Sequence, residues 1–331
     1  MDPMHELIQQ FSVQMRRAIE IGADAELEGG ANPIHQIVVL GLGGSAFGAE
    51  LVRDYGFERL KSPISILRGY ELPAFVGPHT LVIASSYSGN TEETLTTVQL
   101  AHARGAQVYC ITSGGALADF ARQQQLPCIL IPGGQPPRAS CGYSFIQLLF
   151  ILHAVGQLPD FKADLEEAVT TVESFADHEL ARALAQQLKD QAVAIYSGNL
   201  AESMAIRWRQ QINENSKQLC WHHVVPEMNH NELVGWEHPQ FMTGQAQVVL
   251  LRTRFDHERV QLRWGLNADI LRQRGATVHT VEAKGTGLLA QLLYLLHYGD
   301  WLSWYLAEAN GVEATPVKVI DYLKNELAKS I

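Results

Sequence analysis

Ile37-Val-Val-Leu-Gly-Leu-Gly-Gly-Ser45 decides the fold: apolar, largely β-branched residues run directly into clustered glycines. The run reads as a buried strand, and the glycines as the tight turn by which it hands over to a helix. Comparable runs recur at 64–67 (ISIL), 80–86 (TLVIASS), 108–113 (VYCITS) and 128–134 (CILIPGG), with helix-length intervals after residues 45 and 91. Alternation of this kind predicts a parallel sheet covered by helices, one doubly wound α/β unit. Beyond Gly156 the pattern restarts with a polar helical stretch at 161–189, then AVAIYSGN (192–199), VVLLRTR (248–254) and VHTVEAK (278–284). A second unit of the same class is therefore expected. Gly156 and Pro159 lie in a short polar gap, which puts the boundary there and gives domains 1–156 and 157–331. Ser-Gly-Asn occurs at 88–90 and again at 197–199, too short a repeat to establish duplication.

A chain of 331 residues with 47% apolar and 18% charged content has enough sequence for about two cores and excludes wholesale disorder. Thirty-five acidic residues outnumber 25 basic ones, and the formal charge of −10 opposes binding to nucleic acid or an anionic membrane. An anionic ligand must then be held by local geometry. Cys110, Cys128, Cys141 and Cys220 include no Cys-x-x-Cys pair and do not resemble a secreted disulfide framework, so a reducing cytoplasm is the expected compartment. The first twenty residues lack the basic start and apolar run of a secretory signal. The most apolar stretches, near 143–157 and 286–306, are broken by Gln147, His153, Gln291, His297 and Asp300, so no membrane span is expected.

Gly41-Leu-Gly-Gly-Ser-Ala46 formally satisfies the dinucleotide fingerprint Gly-x-Gly-x-x-Gly/Ala. Glycines at such a junction let backbone N–H groups approach an anion at a helix N-terminus, but they serve a bare turn equally well. A nicotinamide site also asks for an acidic residue about twenty positions on. Here the second strand ends in Leu67-Arg68-Gly69-Tyr70, with Asp54 too early and Glu71 too late. Ser85-Ser-Tyr-Ser-Gly-Asn-Thr-Glu-Glu-Thr94 makes a second strand-to-helix junction, with Asn90 and Glu93 spaced as a capping pair. The surplus hydroxyls of Ser85, Ser86, Ser88 and Thr91 suit a phosphomonoester, unless the turn satisfies only its own backbone. No Gly-x-x-x-x-Gly-Lys-Ser/Thr loop occurs, which favours phosphate carried on a sugar over a nucleotide.

In the second half, Arg207-Trp-Arg-Gln-Gln-Ile-Asn-Glu-Asn-Ser-Lys217 reads as a helix ending in a polar turn. Glu214, between two amides and near Lys217, is either a surface charge or a base. Pro226-Glu-Met-Asn-His-Asn-Glu-Leu-Val-Gly-Trp-Glu237 concentrates amides, carboxylates and His230 in a loop held by Met228, Leu233 and Trp236, which marks a site rather than a linker. Cys220, His222, His223, His230 and His238 crowd one region without a zinc spacing, and adjacent His222 and His223 would point to opposite faces of a strand. No metal is expected. The absence of a Gly-x-Ser-x-Gly elbow argues against a serine hydrolase.

In order along the chain, Gly41-Leu-Gly-Gly-Ser45, Ser86-Tyr-Ser-Gly-Asn-Thr91, Pro137-Arg-Ala-Ser140, Asn213-Glu-Asn-Ser-Lys217 and Asn229-His-Asn-Glu-Leu-Val-Gly-Trp236 resemble the bifunctional phosphoglucose/phosphomannose isomerases. Thr315-Pro-Val317 and Asp321-Tyr-Leu-Lys324 extend the resemblance to nearly the whole chain, and Ala46-Phe47 depart from it where the family usually carries another glycine. The resemblance implies two sugar-isomerase (SIS) type doubly wound parallel-sheet domains with flanking helices, and no cofactor. It implies that Ser45, Ser86, Ser88 and Thr91, with the Gly43 and Gly44 backbone, hold a hexose 6-phosphate. It further implies that Glu214 is the base, that Arg138 stabilises the intermediate, and that His230 and Lys324 assist ring opening, Lys318 being the other candidate lysine. A homodimer follows from it, with His230 reaching the partner's site. The implied reaction interconverts glucose 6-phosphate, and mannose 6-phosphate, with fructose 6-phosphate through a cis-enediol. An SIS protein that binds a sugar phosphate only to regulate a partner is the alternative.

Overall fold

The computed structural model describes residues 2–27, 29, 30, 32–327 and 329. Helices α1 (Pro3–Gln9) and α2 (Phe11–Asp24) precede a wholly parallel sheet of β1 (Gln36–Leu40), β2 (Ile64–Leu67), β3 (Thr80–Ser86), β4 (Gln107–Thr112) and β5 (Cys128–Leu130). Its strand order is β2-β1-β3-β4-β5. Helices α3 (Gly43–Tyr55), α4 (Glu92–Ala103) and α5 (Gly115–Gln123) are the crossovers, and α6 (Cys141–Ala154) follows. After α7 (Lys162–Glu173) and α8 (His178–Leu188) comes a second parallel sheet of β6 (Val193–Gly198), β7 (Cys220–Val225), β8 (Gln247–Arg252) and β9 (Thr277–Glu282), ordered β7-β6-β8-β9. Its helices are α9 (Glu202–Asn215), the one-turn α10 (Glu232–Gly235) and α11 (Gln240–Thr243), and α12 (Glu258–Gln273). The long α13 (Leu288–Asn310) and α14 (Lys318–Leu327) follow.

In both sheets the strand order reverses beside the first strand, at β1/β3 and at β6/β8. Crevices open at such switch points, beyond the carboxyl ends of the strands. The predicted apolar runs coincide with eight of these strands to within a few residues. Strand β7 was not among those runs, because Cys-Trp-His-His-Val-Val lies at a sheet edge, half-buried, and carries no continuous apolar signal. The stretch 161–189 is two helices rather than one. Strand β6 occupies the place of β1 in its sheet, so Ser197-Gly-Asn199 is not the counterpart of Ser88-Gly-Asn90, which follows β3. The likeness of the halves lies in topology, not in that tripeptide.

Between the sheets lies a layer of α3, α6, α9 and α13, where one hydrophobic cluster takes in Phe47 and Leu51, Phe145 and Leu149, Trp208 and Ile212, and Leu292 and Leu302. The two units therefore share a core. Helix α13 is apolar on nearly every face and is buried from Leu288 to Ala307. The Asp300 that interrupts it accepts two hydrogen bonds from Arg207, Nε at 3.0 Å and Nη2 at 2.8 Å, and one from Gln211 Nε2 at 2.9 Å. A buried pair so fully bonded is one of the few ways to place both charges inside. Among the described residues no helix is long and apolar enough to cross a membrane.

Candidate active site

Strands β1 and β3 end side by side at the first switch point and aim both of their following helices at one crevice. Gly43 opens α3 with φ +53°, a conformation that glycine adopts without strain. A Cβ on Gly44 would lie 2.6 Å from the Pro137 carbonyl oxygen, so glycine is what lets the 3-10 turn Pro137–Ala139 close on the start of α3. Among the described residues no side chain caps α3, which leaves its first N–H groups to a ligand or to water. Ser45 Oγ, buried, accepts from the Tyr87 N–H at 3.2 Å and ties the two junctions together. Ser86 Oγ and Thr91 Oγ1 are 2.9 Å apart, and Ser88 Oγ, exposed, accepts from the Asn90 N–H at 3.3 Å.

The capping pair expected here is not formed. Thr91 is the N-cap of α4 and makes no side-chain cap, while Asn90 Oδ1 reaches across to accept from Ala116 N at the start of α5, 3.0 Å away. A neighbouring helix start takes the amide, and the hydroxyls of Ser86, Ser88 and Thr91 stay together at the turn between β3 and α4. The six cradle residues read from sequence thus come from two adjacent junctions.

Arg138 is 5% exposed, so it is no surface ion pair. Tyr87 OH accepts from Gln135 N at 3.1 Å, which anchors the segment leading into Pro136-Pro137-Arg138 to the cradle. The guanidinium donates from Nε to Asn215 Oδ1 at 2.8 Å and from Nη2 to the carbonyls of Ala314 and Thr315 at 2.9 and 2.7 Å. Its remaining edge, Nη1, lies 3.7 Å from Glu214 Oε2. Burial holds the Arg138 pKa below the ordinary arginine range, with the Glu214 charge opposing that shift. Glu214 sits in the last turn of α9, half-buried, so α9 supplies both the carboxylate and, through Asn215, a clamp on the arginine. Lys217 turns the chain with φ +53° and donates to the Glu214 carbonyl at 2.7 Å and the Ala314 carbonyl at 3.0 Å. Its pKa is lowered by burial and then by the Arg138 charge.

A cavity of about 670 Å³ opens beside this group, lined by Glu214, Lys217, Glu313, Val317 and Lys318 among others. Lys318 reaches it from the first turn of α14. Lys324 is not among its lining residues; it lies about 9 Å further along α14, at 1.5 Å per residue, exposed and without a polar partner among the described residues.

His230 is not brought to Glu214 within one chain. The Asn213 side chain meets the start of β7, accepting from Cys220 N at 3.0 Å, whereas His230 lies past the far end of that strand. Six strand residues span roughly 17 Å. His230 is exposed, on a turn fixed from below: Asn229 is bonded to Asn267 and Arg263, and Glu232 accepts from Tyr196 OH and Trp221 Nε1. Asn215, Lys217 and the Ala314 and Thr315 carbonyls were not singled out from sequence. Asn215, Lys217 and Thr315 lie inside quoted motifs, but carbonyl groups leave no mark in side-chain pattern. Among the described residues no cluster of three or more His, Cys, Asp or Glu is arranged to hold a metal ion.

Residues 32–126 match the SIS domain family, and residues 177–327 match the family described as bacterial phospho-glucose isomerase C-terminal SIS domain. A bifunctional phosphoglucose/phosphomannose isomerase from Caldicellulosiruptor bescii is 38% identical over 98% of this chain and 99% of its own. A protein of that name from Aquifex aeolicus is 35% identical over 90% of this chain and 92% of its own. Among solved structures, the C-terminal domain of glucosamine-fructose-6-phosphate aminotransferase from Francisella tularensis superposes with TM-score 0.75 at 14% identity, covering 95% of this chain and 98% of that one. That likeness is one of fold alone. The full-length sequence identity is of a different order, and by it the chain belongs to the bifunctional phosphoglucose/phosphomannose isomerase family, built on two SIS-type domains.

Proposed function

We propose that the crevice interconverts glucose 6-phosphate and fructose 6-phosphate, and mannose 6-phosphate and fructose 6-phosphate, by proton transfer through a cis-enediol. The observation that carries this is the Arg138–Glu214 approach of 3.7 Å beside a hydroxyl-lined cradle at helix starts, a fixed cation and a carboxylate supplied by different halves of the chain. Ser45, Ser86, Ser88, Thr91 and the Gly43–Gly44 backbone bind the phosphate and orient the remote carbons. Glu214 takes the C2 proton of the open aldose while the C1 carbonyl electron pair moves to O1. It returns the proton to C1 as the O2 hydroxyl proton passes to O1 and a carbonyl forms at C2. Arg138, itself buried and with Nη1 unspent on protein acceptors, offsets negative charge on O1 and O2.

Ring opening needs a proton at the ring oxygen and removal of one from the anomeric hydroxyl, work that suits a histidine. His230 serves a site in a second copy of the chain. Its separation from Glu214 along β7 supports that assignment, as do the exposed apolar side chains of Val319, Tyr322, Leu323 and Leu327 on α14, which need a covering surface. Lys318 or Lys324, both on α14, assists; Lys318 has the cavity in its favour. The shared core notwithstanding, the chain divides into units 1–156 and 157–331, and a cytoplasmic enzyme of hexose phosphate metabolism follows from the same reading. Carbon-13 NMR of glucose 6-phosphate and mannose 6-phosphate incubated with the enzyme, without added metal or nucleotide, tests the assignment. Fructose 6-phosphate is expected from both, and persistence of both hexoses rejects it.

A further inference from the structure

The two carbonyls that grip Arg138 belong to Ala314 and Thr315, in the irregular link between α13 and α14. Such a link has no ladder or helix of its own to hold it. Lys217 Nζ holds its Ala314 carbonyl at 3.0 Å, and its N–H groups are held by Asp2, 312 positions away in sequence. Asp2 Oδ2 accepts from Ala314 N at 2.7 Å and from Thr315 N at 3.4 Å. Asp2 Oδ1 accepts from the Thr315 hydroxyl and, at 2.9 Å, from Met4 N, where it also caps α1. Thr315 Oγ1 in turn accepts from Met4 N at 3.2 Å. The peptide unit joining Ala314 to Thr315 therefore lies with its N–H toward the Asp2 carboxylate and its C=O on the Arg138 guanidinium. Carboxylate, peptide dipole and cation are aligned, each polarising the next.

We propose that Asp2 is a positioning residue of the active site: through the 314–315 peptide it fixes the plane of Arg138 and so the aim of its free Nη1 edge. The inference rests on Arg138 acting as the stabiliser of the enediolate. Of the five N–H bonds of an arginine, Nε–H and both on Nη2 are committed to protein acceptors here. Two of those three acceptors belong to the link that Asp2 holds. Without the carboxylate the link loses the acceptor of both its N–H groups and keeps Lys217 on the Ala314 carbonyl, and of the guanidinium's three acceptors Asn215 alone is carried on a helix. The phosphate cradle is built from β1–α3 and β3–α4, and none of its hydrogen bonds runs to Asp2. Loss of Asp2 thus separates the chemical step from substrate binding. Hydrogen bonds from Met4, Thr315 and Ala314 together outweigh burial and keep the Asp2 pKa low, as a carboxylate in this role requires.

Asp2→Ala is expected to lower kcat on the order of 10- to 100-fold, a loss typical of a misplaced catalytic group, with KM within about twofold. A structural role alone would not distinguish two ligands that differ only at the reacting end. An aldonic acid phosphate carries a carboxylate where the enediolate oxygens form, and the alditol phosphate of the same length does not. Asp2→Ala is expected to bind the first about tenfold more weakly and the second as the parent enzyme does. Asp2→Asn, nearly isosteric and retaining one acceptor oxygen, should fall between the two and serves if Asp2→Ala does not fold. Unchanged kcat in the variants, or equal weakening of both ligands, overturns the proposal. Glu214→Gln measured alongside separates this from a failure of the site itself: full turnover in Glu214→Gln means the active site is elsewhere, whereas its loss together with normal turnover in Asp2→Ala removes Asp2 alone.

Discussion

Arg138 Nη1 and Glu214 Oε2 stand 3.7 Å apart, one from the turn after the first sheet and the other from the last turn of α9 in the second unit. Neither half holds both groups, and the shared core of α3, α6, α9 and α13 is what sets the gap between them. On the proposed function, that packing makes the two-unit architecture a condition of the chemistry rather than a duplication of it.

Glu214→Gln keeps the shape of the side chain and removes the proposed base. It is expected to fold normally, bind hexose 6-phosphates and lose more than about 100-fold in kcat, as removal of a general base does. Steady-state kinetics with thermal unfolding as a control checks this; near-wild-type turnover would release Glu214 from the role.

The close approach of Gly44 to Pro137 yields a second expectation. Gly44→Ala places a methyl 2.6 Å from the Pro137 carbonyl oxygen and 3.3 Å from Arg138 Cα, so the turn carrying Arg138 has to shift. Overpacking of this kind costs about 1 to 3 kcal/mol of stability. The loss of kcat should exceed tenfold by displacement of a fixed cation, on the order seen for misplaced catalytic groups. A variant with unaltered kcat would mean that this contact does not set the position of Arg138.

If His230 acts in the partner's site, two inactive variants should complement each other. Co-refolding Glu214→Gln with His230→Ala gives mixed dimers in which one of the two sites has an intact Glu214 and an intact His230. Random pairing then restores about a quarter of wild-type activity on ring-closed substrate, by the symmetry of a twofold dimer. No recovery, with mixed dimers demonstrated by mass spectrometry, would place His230 in its own chain's chemistry or outside it.

Stability should fall as the medium is acidified. Burial pushes His297 down to about 3, and burial followed by the Arg209 charge pushes His222 down to about 4. Both histidines bind protons more readily in the unfolded chain than in the folded one, so stability rises with pH through this window and levels off above the ordinary histidine pKa of about 6.5. His297 alone is worth on the order of 2 kcal/mol between pH 7 and pH 5. Its Nε2 accepts from Trp301 Nε1 at 3.0 Å, and its Nδ1 has no partner among the described residues. His297→Gln keeps an acceptor for the indole and should flatten the dependence, measured by denaturant unfolding at each pH. An unchanged slope would exclude His297 as its source.

The parallel sheets were legible because their central strands are buried on both faces and leave continuous apolar runs; β3 is buried from Thr80 to Ser86. Edge strand β7 left no such run and was legible only as a conditional strand through His222 and His223, since its half-exposed Trp221, His222 and His223 obey no such constraint. The cradle was legible as hydroxyls and glycines at strand ends, yet Asn90 went to a helix that no local spacing could reveal. Arg138 and Glu214 could be named, but not their approach, because the contact depends on how two units pack. Asp2 carried only the mark of a helix cap before Pro3. Its second set of partners is more than 300 residues away, beyond any sequence periodicity.

The central claim, proton transfer at C2 by Glu214, is tested most directly by proton NMR of fructose 6-phosphate equilibrated with the enzyme in deuterated water. The account predicts that solvent deuterium enters C2 of the glucose 6-phosphate and mannose 6-phosphate formed, over many turnovers to completion, and that Glu214→Gln abolishes this labelling. Interconversion that proceeds with the carbon-bound hydrogen retained throughout, or labelling that persists undiminished in Glu214→Gln, would contradict it.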